Sequence, residues 1–172
     1  MESSTRSPGL AAPLPQGLAA PQFTLPVSPR LTTSLGDWLG APVVLVFYAA
    51  DFSPVCSDEL LELNALMPMF TRRGARVFAI SVDSVWSHLA YARQRPLTFP
   101  LLSDFHPKGA VAKAYNAWCE SDGTAERALY VIDAEGRIAW SHRSPINVNP
   151  GIDGVLDALD RLGRYDPHLE AT

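Results

Sequence analysis

VVLVFYAADFSPVCSDE, residues 43–59, is the stretch on which the fold turns. Residues 43–48 are a continuous β-branched and aromatic run behind Gly40 and Pro42, the pattern of a strand buried on both faces. Ser53 suits an N-cap and Pro54 a first helical position, so Cys56 falls in the first turn of a helix. Leu60, Leu63, Leu66 or Met67, and Phe70 continue at helical spacing to Gly74, with Pro68 predicted to bend or break the last turns. Residues 76–82 (RVFAISV) read as a second strand and 85–95 as a second helix, halted by Pro96. Strand, helix and strand in that order imply a parallel crossover. Farther on, 99–102 is a short extended segment, and 107–115 a short helix with Pro107 near its start. Residues 129–133 and 137–142 are strands joined by the turn Ala134-Glu135-Gly136, and 151–162 is a closing helix with Ile152, Val155, Leu156 and Leu159 on one face. The expected class is α/β, with a parallel start and an antiparallel hairpin finish.

At 172 residues, with 47% hydrophobic and 19% charged, the chain suits one domain with a substantial core. A net charge of −4 without a basic block argues against a nucleic-acid or anionic-membrane binder. Two cysteines, Cys56 and Cys119, exclude a disulfide-stapled scaffold and a four-cysteine zinc site. Pro8, Pro13 and Pro15 interrupt the apolar residues near the start, so no signal-peptide core is expected there. The expected organisation is an extended or disordered leader over 1–19, one domain over 20–165 and a short tail over 166–172. The expected location is the cytoplasm, where thiols stay reduced.

The chemistry concentrates at Cys56. In the first turn, the N–H groups of Val55 and Cys56 precede any intrahelical partner, so a thiolate or a peroxide oxygen can accept from them. Ser53, three residues earlier, places a hydroxyl on the same face. A free thiol titrates near about 8.5, and making thiolate its major form at neutral pH takes about 2 kcal/mol. A helix N-terminus supplies about 0.3–1 kcal/mol and a charge-assisted hydrogen bond about 1.5–3. Asp51, Asp58 and Glu59 oppose them, so a cation from elsewhere is needed, and Arg127 at the head of the strand ALYVID is the candidate. A lone cysteine is often core filler, but the position of this one after a buried strand favours reactivity. With no cysteine at positions 57–59, a dithiol within the loop is excluded.

The segment from Ala49 to Cys56, followed by Glu59, resembles the signature PxxxTxxC of the peroxiredoxin family, closest to its one-cysteine AhpE-like branch. APQFTL, APVVLVFY, ISVDSVWSHLAYA, FPLLSDFHPKGAVAKAYNAW, ERALYVIDAEGRI and NPGIDGVLDAL resemble the family in the same order. The resemblance implies a single-domain thioredoxin-like fold with a central mixed sheet flanked by helices. It also implies a thiol peroxidase in which Cys56 is the nucleophile, Ser53 stands in for the family threonine and Arg127 is the catalytic arginine. Hydrogen peroxide or an organic hydroperoxide would be the substrate. The reductant would be a thioredoxin, a glutaredoxin-like protein or a low-molecular-weight thiol, and the assembly a homodimer. Ala49 departs from the family's first proline, which packs over the active cysteine, and Ser53 loses a methyl group.

Cys119 fits none of the common two-cysteine schemes and is either a resolving thiol or a bystander. His88, His106, His142 and His168 have no metal-ligand spacing and are expected at the surface or in packing; neither metal nor cofactor is expected. Asp83 and Ser84 are expected to cap the helix that follows, and Glu59 to orient an arginine. Trp118 has a claim to a dimer contact. The rival to an enzyme is a thioredoxin-fold peroxide sensor or relay with little turnover, which the Ala49 departure keeps open.

Overall fold

The computed structural model describes residues 12–163. A hairpin of β1 (Thr24–Ser28) and β2 (Leu31–Ser34) leads through a 3₁₀ turn at Leu35–Trp38 into β3 (Val43–Phe47). Then come α1 (Pro54–Ala65), α2 (Met67–Arg72), β4 (Arg76–Ser81), α3 (Val85–Gln94), β5 (Leu101–Ser103) and α4 (Ala110–Ala114). A two-residue ladder of β6 (Trp118–Cys119) and β7 (Thr124–Ala125) precedes β8 (Arg127–Ile132), β9 (Ile138–Ser144) and α5 (Asp153–Gly163). The central sheet has the order β5-β4-β3-β8-β9, parallel from β5 to β3 and antiparallel from β3 to β9. It is the mixed sheet that the crossover and the hairpin together require.

Strand β3 is buried along its whole length, and its alternation divides the core into two halves. Val44 and Val46, with the following Tyr48, pack with Cys56, Leu60 and Leu63 of α1, Phe70 of α2, Tyr91 of α3 and Val155, Leu156 and Leu159 of α5. Val43, Leu45 and Phe47 pack on the other face with Leu25, Leu35, Val111, Tyr115 and Tyr130. The β1–β2 hairpin and the β6–β7 ladder were not foreseen. Their residues are too few and too exposed to show a clear period.

The helix after Cys56 breaks at Leu66, two residues before Pro68 and within the last turns where the break was expected. Proline has no N–H to continue the ladder, and Leu66 leaves helical geometry at φ −99° and ψ 4°. The helix expected over 107–115 is shorter than its pattern. Gly109 takes φ +70°, so the helical backbone starts only at Ala110, and Pro107 lies outside it. Between β8 and β9 the expected turn closes around Asp133. Its Oδ1 accepts from the N–H groups of Glu135 (3.1 Å) and Arg137 (2.8 Å), while Gly136 takes φ +88°.

Of the expected leader and tail, residues 1–11 and 164–172 lie outside the described residues. Residues 12–19 run along the edge at β9. Gly17 N–H donates to the Ile138 carbonyl, and Ile138 N–H donates to the Leu18 carbonyl, each at 2.8 Å. Leu14 N–H donates to the Tyr130 hydroxyl at 3.0 Å, and the Ser141 hydroxyl donates to the Leu14 carbonyl at 2.7 Å.

Candidate active site

Cys56 sits in the first turn of α1, just below the C-terminal end of β3, and its side chain is 1% exposed. Ser53 is the N-cap and Pro54 the first helical residue, as their sequence order implied. The first intrahelical bond runs from Ser57 N–H to the Ser53 carbonyl at 2.8 Å, so the N–H groups of Val55 and Cys56 precede the ladder. The half-buried Ser53 makes no side-chain capping bond, which leaves its hydroxyl clear of that task.

The sheet supplies the cation. Arg127, the first residue of β8, is fully buried, and its guanidinium has three partners. Nη2 donates to Cys56 Sγ at 3.1 Å, Nη1 to the Glu59 carboxylate, and Nε to the Ile146 carbonyl at 2.5 Å. Lysine, a point charge with no planar fork, cannot reproduce this set. The 145–149 loop that carries Ile146 is pinned to α1 by Asn149, whose Nδ2 donates to Glu62 Oε2 at 2.8 Å. Sequence positions 56, 59, 127 and 146 thus converge because β3 and β8 are neighbours in the sheet.

Of the acidic residues that the sequence set against a thiolate, one lies at the surface and two are engaged elsewhere. Asp58 is exposed, and Glu59 is paired with Arg127. Burial pushes the Glu59 carboxyl up to about 7, with Arg127 opposing the rise and Glu62 adding to it. Asp51 is buried in a polar network behind the loop. Its Oδ1 accepts from the Tyr48 hydroxyl (2.7 Å), and its Oδ2 from Ser87 Oγ and His88 Nδ1 (2.8 Å each). Burial pushes this carboxyl upward, but hydrogen bonding and charge from His88, with bonds from Tyr48 and Ser87, outweigh it and hold Asp51 below its ordinary range.

His88, 2% exposed, was expected at the surface or in packing and instead belongs to this polar network. The signal for it was Asp51, an acidic residue at the end of an apolar strand that needs a partner when buried. Asp83, expected as a helix cap, accepts from Asp51 N–H (2.9 Å) and Ser81 Oγ (2.6 Å), while Ser84 alone caps α3, accepting from Ser87 N–H at 3.3 Å. Asp51, Asp83 and His88 bring potential metal ligands within 4.8 Å of one another, and each of the three side chains takes part in these hydrogen bonds.

Phe52 is 47% exposed at φ +63° and sets its ring edge-on to Tyr91, whose hydroxyl donates to Ser57 Oγ at 3.0 Å. Ala49, at the place of the family proline, is buried in the same cluster as Cys56. Cys119 is a free, half-buried thiol on β6, 3.3 Å from Ser121 Oγ. Neighbouring Trp118 lies against Gly109 and beneath Lys113, so its ring is occupied within the chain.

The model of the AhpC/TSA family matches residues 16–141. Alkyl hydroperoxide reductase E of Mycobacterium tuberculosis is 39% identical over 126 residues, covering 73% of this chain and 82% of that protein. Thioredoxin peroxidase of Echinococcus granulosus is 32% identical over 164 residues, covering 90% and 84%. Among solved structures, the reduced 2-Cys peroxiredoxin of Plasmodium vivax superimposes with a TM-score of 0.80 at 26% identity, covering 87% of this chain and 82% of that one. AhpC of Mycobacterium tuberculosis gives 0.76 at 26% identity, covering 87% and 93%. With its mixed sheet, its buried thiol at a helix start and these relatives, the chain belongs to the AhpC/TSA family of peroxiredoxins.

Proposed function

We propose that the protein is a thiol-dependent peroxidase that reduces hydrogen peroxide or organic hydroperoxides, with Cys56 as the nucleophile. The observation that carries this reading is the 3.1 Å contact of Arg127 Nη2 with a thiol in the first turn of a helix. The Cys56 thiolate attacks one peroxide oxygen. The S–O bond forms as the O–O bond breaks, leaving a sulfenic acid on Cys56, and the departing oxygen takes a proton and leaves as water or an alcohol. Arg127 is fixed to counter the negative charge that grows on these oxygens, and the N–H groups at the start of α1 face the same charge. Ser53 offers its hydroxyl to the bound peroxide.

One thiol then condenses with the sulfenic acid, releasing water and forming a disulfide, and a second thiol restores Cys56. Cys56 is 1% exposed, so a reductant much larger than a peroxide requires the first turn of α1 to open. An external thioredoxin, glutaredoxin-like protein or small thiol fills this role, with Cys119 as the internal alternative. The names of the relatives favour turnover over a sensor with little activity. No described helix is long and apolar enough to cross a membrane. Both cysteines are free, which suits a reducing cytoplasm. The exposed rings of Trp86 and Phe105 support a homodimer.

Peroxide consumption in the presence of dithiothreitol tests the reading. Wild type is expected to turn over, and Cys56→Ser to lose all but background activity. Intact mass after one equivalent of peroxide should rise by one oxygen, or fall by two hydrogens if Cys119 resolves the sulfenic acid. A wild type no faster than Cys56→Ser would sink the proposal.

A further inference from the structure

Resting on Cys56 as the reacting thiol, we propose that His88 is a positioning residue for it, acting through Asp51 on the loop that fixes where α1 begins. The setting of the buried His88 ring is defined by its neighbours. Nδ1 lies 2.8 Å from an Asp51 carboxylate oxygen, and Nε2 lies 3.2 Å from the Leu102 carbonyl, which has no proton to give. The ring is thus held between a carboxylate on one side and a carbonyl on the other, with the Tyr48 hydroxyl 3.3 Å from Nδ1. The other charged or titratable groups in this network are Asp83, which bonds Asp51 N–H, and Tyr48. Burial, and then the Asp51 charge, push the Tyr48 phenol well above its ordinary value and keep it a donor.

The mechanical consequence lies in the chain that follows Asp51. Its side chain is held by Tyr48 from the end of β3 and by Ser87 and His88 from α3, and its N–H is held by Asp83 beyond β4. Phe52 comes next, at φ +63°, a left-handed conformation that a non-glycine residue keeps only where its surroundings over-determine it. Ser53, the N-cap, is one residue farther, and Cys56 follows three residues later. Turning Asp51 loose frees Phe52 to relax, shifts the start of α1 and moves Sγ relative to Arg127. His88 also reaches β5 through Leu102, so the ring ties the loop to the far edge of the sheet.

Two amide substitutions separate the two bonds. Asn at 88 presents its amide nitrogen near the position of Nδ1 and keeps a donor for Asp51. Gln reaches the position of Nε2, keeps a donor for Leu102 and abandons Asp51. The experiment is single-turnover oxidation of the reduced full chain by hydrogen peroxide. His88→Gln is expected to react at least about fivefold more slowly than His88→Asn, since small misplacements of reacting groups carry large rate losses. A smaller gap, or a gap in the other direction, overturns the positioning role. If His88→Gln does not fold, Ser87→Ala removes a different donor from the same carboxylate. It should slow oxidation by about twofold or more with an unchanged circular dichroism spectrum, and an unchanged rate overturns the proposal. A wild type that does not oxidise at Cys56 overturns the peroxidase reading itself, an outcome distinct from equal rates among active variants.

Discussion

Glu59 touches the Arg127 guanidinium and is nonetheless pushed up to about 7 by its burial. Its folded value lies above its ordinary 4.5, so the folded protein holds this proton more tightly than the unfolded chain does. The resulting stability is fully present below about pH 4.5 and is lost as pH rises through about 7. Gln at this position cannot titrate. The stability of wild type relative to Glu59→Gln is therefore expected to fall between about pH 5 and pH 8, by urea unfolding at each pH. Parallel profiles for the two proteins would show that Glu59 is ionised throughout. The sequence placed Cys56, Ser53 and Arg127 and expected Glu59 to orient an arginine, which it meets in Arg127, but it read Asp51 as a bare charge opposing a thiolate. The error has a physical source: Ser87 and His88, which hold the Asp51 carboxylate, are remote in sequence, and hydrogen bonding depends on distance in space.

Helix α4 shows how one residue sets the limits of an element. Gly109 precedes it at φ +70°, and a Cβ there would fall 2.2 Å from the Trp118 ring. Backbone conformation and close approach both demand glycine, while the Asp104 carboxylate caps the helix from outside by accepting from Val111 and Ala112 N–H at 3.1 and 2.9 Å. Gly109→Ala is expected to destabilise the fold by about 1–3 kcal/mol or more, read as a lower urea midpoint. A midpoint equal to wild type would mean that Trp118 swings away freely. The apolar pattern over 107–115 could not reveal this limit, because it reports which side chains are buried and says little about a backbone angle. Where punctuation was covalent, as at Pro68 and Pro96, the expected ends fell within a few residues of the observed ones.

Across the whole molecule, the N-terminal segment closes the sheet edge that the hairpin leaves exposed. Residues 12–19 hydrogen-bond to Tyr130, Ile138 and Ser141, and Leu14 packs on the second half of the core. Removing residues 1–19 is expected to lower stability by about 2–4 kcal/mol, since each lost bond contributes about 1 kcal/mol net and Leu14 adds burial. The check is the urea midpoint of the truncated chain. A value unchanged from wild type would show that the edge at β9 stands without its cover.

The sequence by itself determined the order of the main elements, the mixed character of the sheet and the position of Cys56 at a helix start. These follow from short-range causes: apolar period, cap chemistry and the missing N–H of proline. The tertiary structure alone decided which charges meet. Arg127 comes within 3.1 Å of Cys56 because β8 lies beside β3, and Asp51 loses its opposition to a thiolate because α3 lays His88 against it. Sheet order and helix placement bring together groups that lie far apart along the chain, and Coulomb and hydrogen-bond energies respond to that spatial distance.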